Sequence, residues 1–200
     1  GSGKGHGLAR TPRIQGRGPG AEAPNTVGGR RAHPPKTLKQ WPQKINARER
    51  RVAFRSALAA TADATLVAGR GHQLPEKAAT PFVVSKELEA LAAKHEGESL
   101  TRRAQKLLAS LGLDAELARG AARKVRAGKG KRRGRRYRRP KSALVVLSEF
   151  NGTERAFRNL AGVEVTTAAQ LNTEMLAPGG DPGRLMVISQ PALKALEARL

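Results

Sequence analysis

Cysteine is absent from the 200 residues. That excludes a disulfide framework, a thiolate zinc site and a cysteine nucleophile. Aromatic residues are scarce at 3%, so a core must be built from Leu, Val and Ala. The hydrophobic fraction is 38%, below the roughly 45–50% of an ordinary globular chain. Acids are few: 16 Asp and Glu stand against 38 Lys and Arg, giving a formal charge of +22. A charge that large opposes a compact isolated state and favours a polyanionic partner. Apolar runs are short, and none approaches the roughly 20 residues needed to span a bilayer. Neither an apolar signal core nor a transit-peptide helix follows the opening Gly-Ser-Gly. With no Met at the start, the expectation is a processed N-terminus or a piece of a longer protein.

What is present is cationic and segregated. Residues 1–41 carry eight Lys or Arg and one acid, and residues 42–118 carry twelve and nine. Residues 119–141 carry thirteen and none, and residues 142–200 carry five and six. Two basic segments are thus set off from near-neutral sequence, a pattern of cationic arms on a folded body.

The first arm is rich in Gly and Pro and has almost no apolar periodicity, as in GSGKGHG, GRGPG and VGGRR. It cannot bury enough apolar surface to offset its own ordering entropy, so it is a long loop that needs a partner or a disordered tail. Pro34-Pro35 favours an extended exit. Candidate phosphate or base contacts here are Lys4, His6, Arg10, Arg13, Arg17, Arg30, Arg31, His33, Lys36 and Lys39. Trp41 can stack on a base or anchor to the body's surface.

Folded structure is expected from Asn46. Asn46 and Glu49 have capping-box spacing ahead of a helix over 47–62, with Val52, Ala53, Ala57, Leu58 and Ala60 on its apolar face. Arg48, Arg50, Arg51 and Arg55 form its basic face, and Arg48 and Arg51 are candidate RNA contacts. ATLVAG (64–69) and PFVVS (81–85) read as short strands. Ser85 is placed to cap a helix over Lys86–Lys94. A helix over Thr101–Leu111 is expected to stop at Gly112, and Asp114 to cap the next one. ALVVLS (143–148) is the strongest strand, and its unbroken apolar run suits a parallel, doubly covered position. A short helix over Thr153–Leu160, an alternating strand at GVEVTT (162–167) and a helical turn at Ala168–Asn172 follow. LAPGGDPG (176–183) is a loop, LMVIS (185–189) a strand, and Pro191 opens a final helix. Strands alternating with helices predict an α/β fold: an open, mostly parallel sheet with flanking helices and right-handed crossovers, plus a long extended basic loop at the N-terminal end. The expected organisation is that loop over 1–41 and a globular body over 42–200 with an internal basic loop at 119–141.

The internal loop, RKVRAGKGKRRGRRYRRPK, has the cation density that neutralises phosphates and releases counterions. Arg forks bind phosphate in bidentate fashion, and the interspersed glycines permit close approach of backbone. The candidates are Arg126, Lys129, Lys131, Arg132, Arg133, Arg135, Arg136, Arg138, Arg139 and Lys141, with Tyr137 as a stacking face. A localisation signal or a nonspecific tail would share the composition, but this segment lies between a helix and the strongest strand. Irregular Gly-Arg sequence fits folded RNA better than duplex DNA, and no helix-turn-helix, zinc-finger or basic-zipper pattern occurs.

Catalytic signatures are missing. The histidines at 6, 33, 72 and 95 have no metal-ligand spacing; His72 reads as a turn residue and His95 as a helix end. LAPGGDPGR has neither dinucleotide-loop nor P-loop spacing, and no strand precedes GSGK. No serine elbow or HExxH helix occurs, and the acids are scattered. No cofactor or metal is expected.

Several stretches, in order, resemble the universal L-four family of large-subunit ribosomal proteins in its archaeal and eukaryotic form. They are GSGKGHGLARTPRIQG (1–16), VGGRRAHPPKT (27–37), RSALAATA (55–62), RAGKGKRRGRRYRRPKSALVV (126–146), RAFRNLAGVEV (155–165) and LAPGGDPGR (176–184). Arg158 and Arg184, in the last two, complete the candidate RNA contacts. The family ordinarily has a strand and a helix ahead of this point, so the resemblance implies that the chain lacks its N-terminal portion. It also implies a structural, non-catalytic constituent of the large subunit in the cytoplasm, bound to large-subunit rRNA. The loop Gly1 to about Thr37 would penetrate the rRNA, its tip near Arg13–Thr26 lining the peptide exit tunnel beside a protein of the L-twenty-two family. Partners are then rRNA and neighbouring ribosomal proteins, with no membrane and no small-molecule substrate. The alternatives are a nonribosomal RNA-binding or regulatory module, and an α/β enzyme acting on nucleic acid.

Overall fold

The computed structural model describes residues 5–7, 11–16, 18–75, 78–92 and 98–200. The chain divides into two compact units, Gly1–Lys44 and Ile45–Leu200.

No described residue of the first unit is buried. Its described residues are joined by backbone hydrogen bonds rather than packed in a core. Ile14–Gly16 form a single 3-10 turn, and Arg13 bridges Gly20 in antiparallel fashion. Ile14 N donates to Pro19 O at 3.1 Å, and Ala21 N to Pro12 O at 2.8 Å, closing a small hairpin. Next to it the backbone folds tightly at Gly29, where an added Cβ would lie 1.9 Å from Ala23 O.

The second unit is built on a four-stranded sheet: β1 (Phe82–Val84), β4 (Leu144–Leu147), β5 (Glu164–Thr167) and β6 (Met186–Ser189). Their order is β1-β6-β4-β5 and every pairing is parallel. Leu144 pairs with Glu164 on one side and Met186 on the other. The expected open parallel α/β sheet is what forms. All residues of β4 and β6 are buried, and they alternate between two cores. Val145, Leu147 and Val187 face one core with Leu88, Leu108 and Phe157. Leu144, Val146, Met186 and Ile188 face the other with Ala57, Leu171 and Leu196. Burying each such side chain is worth about 1.5–3 kcal/mol, so double coverage explains why these strands read as unbroken apolar runs.

Helices supply both covers. The first core takes α3 (Leu100–Ser110), α5 (Thr153–Arg158) and the 3-10 helix Lys86–Ala92. The second takes α1 (Ala47–Ala60), α6 (Thr173–Leu176) and α7 (Gln190–Glu197). In α3, Ala104 and Leu108 are buried, and the helix ends at Gly112 as expected, with Leu113 N reaching Leu108 O at 3.1 Å. Ser189 caps α7 by accepting from Ala192 N at 3.2 Å.

Several local expectations fail. ATLVAG is a helix, α2 (Ala64–Gly69), because Asp63 accepts from both Thr65 N (2.8 Å) and Thr65 Oγ1 (2.6 Å) and nucleates a turn. A three-residue apolar run, Leu66–Ala68, does not distinguish the two states; only Val67 of it is buried. Asn46 precedes α1, but its side chain makes no capping bond. Val52 is 61% exposed and Ala53 is exposed, whereas Phe54 is half-buried beside Ala57 and Leu58. Asp114 does not cap α4 (Asp114–Ala121); it is the first helical residue. The helix after Ser85 is 3-10 over Lys86–Ala92, and Lys94 and His95 lie outside the described residues. Past β5 the expected helical turn does form, Leu171 N donating to Thr167 O at 3.0 Å, and an unexpected short helix follows it, α6, capped by Asn172 accepting from Met175 N at 2.9 Å.

Candidate nucleic-acid interface

The segment 119–141 is expected to be an irregular loop; its first residues end α4, and past Ala121 it is instead an antiparallel ribbon. Strands β2 (Lys124–Val125) and β3 (Tyr137–Arg138) pair Lys124 with Arg138 and Val125 with Tyr137. Arg126 N donates to Arg136 O at 2.7 Å, and Gly128–Arg133 form a 3-10 turn that closes at Gly134 in the left-handed region. Arg126 folds across the ribbon, its Nε donating to Arg135 O at 3.1 Å. Lys129, Lys131, Arg132, Arg133, Arg135, Arg136, Arg138 and Arg139 are all exposed, and none has an acidic partner among the described residues. Tyr137 is not a bare stacking face: the Arg123 guanidinium lies 4.2 Å from its ring centre and Arg136 lies 5.7 Å away.

The ribbon leaves and rejoins the body through a locked root. Glu116 is fully buried and accepts five bonds. They come from His72 Nδ1 (2.7 Å), Gln73 N (3.0 Å), Arg119 Nε (2.8 Å), Arg119 Nη2 (2.6 Å) and Ser142 Oγ (2.8 Å). Arg119 starts the basic segment and Ser142 follows its end, so one carboxylate ties both. Arg119 Nη2 also donates to Lys141 O at 2.7 Å. Burial would raise the Glu116 pKa, but the bonds from Arg119, His72 and Gln73 outweigh it and lower it from 4.5 to about 2. His72 is therefore a buried member of this cluster rather than a turn residue. Backbone closes the same root: an added Cβ on Gly120 would sit 2.6 Å from Ala161 O.

Arg184 departs from its expected role. It is fully buried, with Nε donating to Ser142 O (2.9 Å) and Nη1 to Glu164 Oε2 (2.6 Å) and Met175 O (2.8 Å). Burial, with Arg70 nearby, lowers its pKa to about 10, so it remains charged at neutral pH. With no surface left for RNA, it braces the N-terminal ends of β4 and β5. Lys141, exposed, pairs with the same Glu164.

The other candidates are scattered. His6, Arg13, Arg30, Arg31, His33 and Lys36 are exposed in the first unit, where Arg13 spends one donor on Gly18 O at 3.1 Å. Lys39 lies over Trp41, 4.9 Å from its centre, beside a hollow of about 710 Å³ that also takes in Pro34 and Pro35. Trp41 is 68% exposed. Lys4, Arg10 and Arg17 lie outside the described residues. Arg48 and Arg51 are exposed on α1, and Arg158 is exposed 5.8 Å from the Phe150 ring. Arg123, Lys124 and the Glu116 cluster escaped the sequence reading. The first two extend the same cation run and were legible there, whereas the cluster, apart from the Glu116–Arg119 pair, joins residues 26 to 47 positions apart.

Open parallel sheets place ligands at the carboxyl ends of their strands. Here that edge is filled from within. Glu89 accepts from Ser148 N (2.8 Å), Ser148 Oγ (2.6 Å) and Ser189 Oγ (2.5 Å), just past β4 and at the end of β6. Among the described residues no group of three His, Asp or Glu could hold a metal ion, and no helix is long and apolar enough to cross a membrane.

The chain matches the ribosomal protein L4/L1 family over residues 1–199. It is 45% identical to large ribosomal subunit protein uL4 of Methanopyrus kandleri, covering 99% of this chain and 76% of that protein. It is 47% identical to uL4 of Methanothrix thermoacetophila, with 99% and 76% covered. It is also 47% identical to uL4 of Haloarcula marismortui, with 98% and 75% covered. With the match running almost end to end and at this level of identity, the chain belongs to the ribosomal protein L4/L1 family.

Proposed function

We propose that the chain is a structural, non-catalytic constituent of the large ribosomal subunit in the cytoplasm, and that it binds large-subunit rRNA. The observation that carries this is the ribbon: eight exposed cations with no acidic partner among the described residues, on a root locked by buried hydrogen bonds. Cations without counter-charges repel one another, and converging phosphates remove that repulsion while releasing counterions. Residues 42–200 act as the body that presents the ribbon. Residues 1–41 act as a second cationic arm that penetrates the rRNA, lines the peptide exit tunnel and meets a protein of the L-twenty-two family. That none of its described residues is buried supports ordering by assembly rather than by its own core.

Sedimentation tests this reading. A tagged chain expressed in an archaeal relative is expected to comigrate with large subunits and to stay with them through a moderate-salt wash. Recovery only in ribosome-free fractions would contradict it.

A further inference from the structure

A second cationic surface lies on the body, away from the ribbon's elements. Helix α1, the segment ahead of α6 and the end of α7 enclose a hollow of about 670 Å³. Arg50, Arg51, Arg55 and Arg199 line it, together with Phe54, and no Asp or Glu side chain does. Two of the four guanidiniums are fixed. Arg199 donates to Ala168 O (2.7 Å) and Leu171 O (2.9 Å) and lies 5.0 Å from the Phe54 ring. Arg55 donates to Leu200 O. Arg50 and Arg51, both exposed, have no acidic partner among the described residues.

We propose that this hollow is a further phosphate-binding site, taking the sugar-phosphate backbone of RNA; it rests on the RNA-binding reading above. Planar guanidinium forks match phosphate oxygens in bidentate fashion, and Arg50 and Arg51 line the hollow with no Asp or Glu side chain beside them, so an anion there offsets the repulsion among the four cations. An acidic peptide would be the other polyanion. It is disfavoured because, inside this hollow, Leu171 is fully buried and Phe54 half-buried beneath Arg199, which leaves few apolar anchors there for peptide side chains. Arg48, exposed on the same helix, extends the row of cations. Because the ribbon and the hollow use different elements, their contributions to binding are independent.

The test uses the full chain and, as probe, large-subunit rRNA of an archaeal relative, titrated over a range of KCl. Arg50→Gln with Arg51→Gln is expected to weaken binding about tenfold and to lower the log–log salt slope by about two, one per cation. The loss should add to that of a ribbon variant, Arg132→Gln with Arg133→Gln. Wild-type chain bound to the rRNA should also protect Arg50 and Arg51 from phenylglyoxal, read by mass spectrometry. If the α1 variant binds like wild type and the two arginines stay reactive while the ribbon variant loses affinity, the hollow is not an RNA site and the broader reading stands. If neither variant changes binding, both readings fail. Displacement from the hollow by polyglutamate but not by polyuridylate would assign it to an acidic protein partner and overturn the proposal.

Discussion

Replacing Glu116 by Gln tests the locked root of the ribbon. The carboxylate accepts five hydrogen bonds in a fully buried site. An amide keeps one acceptor oxygen and turns an NH2 toward donors, leaving Arg119 charged and partly unpaired. Holding the pKa at about 2 instead of 4.5 is worth about 3 kcal/mol at 1.36 kcal/mol per pKa unit. Breaking a buried pair by removing one partner costs about 3–5 kcal/mol, which agrees. Urea denaturation followed by circular dichroism at pH 7 should show the variant less stable by about 3 kcal/mol. The sign with pH is fixed. A carboxylate whose folded-state pKa is lowered contributes stability above its unfolded value, and that contribution disappears as pH falls through the folded value. The gap between wild type and variant should therefore be full at pH 7, begin to close below about pH 4.5 and be nearly gone near pH 2. Equal stabilities at pH 7, or a gap that does not change down to pH 2, would refute this account of the root.

Arg184→Met should cost about 2–4 kcal/mol, because Ser142 O and Met175 O lose their donor, yet leave the salt slope of RNA binding unchanged; a changed slope would return Arg184 to the interface. Arg132→Gln with Arg133→Gln should leave stability within about 0.5 kcal/mol of wild type while lowering the salt slope by about two; a large loss of stability would mean the ribbon tip belongs to the core. Gly120→Val should destabilise by about 2 kcal/mol or more, since the first side-chain carbon already meets Ala161 O and Ser142 at the root; a wild-type melting curve would show the root to be pliable.

What the sequence disclosed follows from what acts locally. Double burial left its mark on β4 and β6 as unbroken apolar runs, and the thirteen cations of 119–141 needed no fold to be seen. ATLVAG was misleading because its fate turned on the two bonds Asp63 makes to Thr65, against a run too short to show a period. The ribbon was hidden because Gly-Arg sequence has no strand propensity; its two-residue strands are held by pairing and by Arg126. Arg184 and Glu116 were misjudged or missed for one reason. Arg184 is satisfied by Ser142, Glu164 and Met175, and Glu116, besides Arg119 three residues on, by His72, Gln73 and Ser142, so both read as surface groups until the fold brings those residues to them.

The central claim is that cationic segments on a locked body are there to meet RNA phosphates. Its most direct measurement is the affinity of the intact chain for large-subunit rRNA across salt concentrations. If the two arms neutralise roughly ten phosphates, the log–log slope should be about −7 to −9. A slope near −2 would contradict binding through the arms.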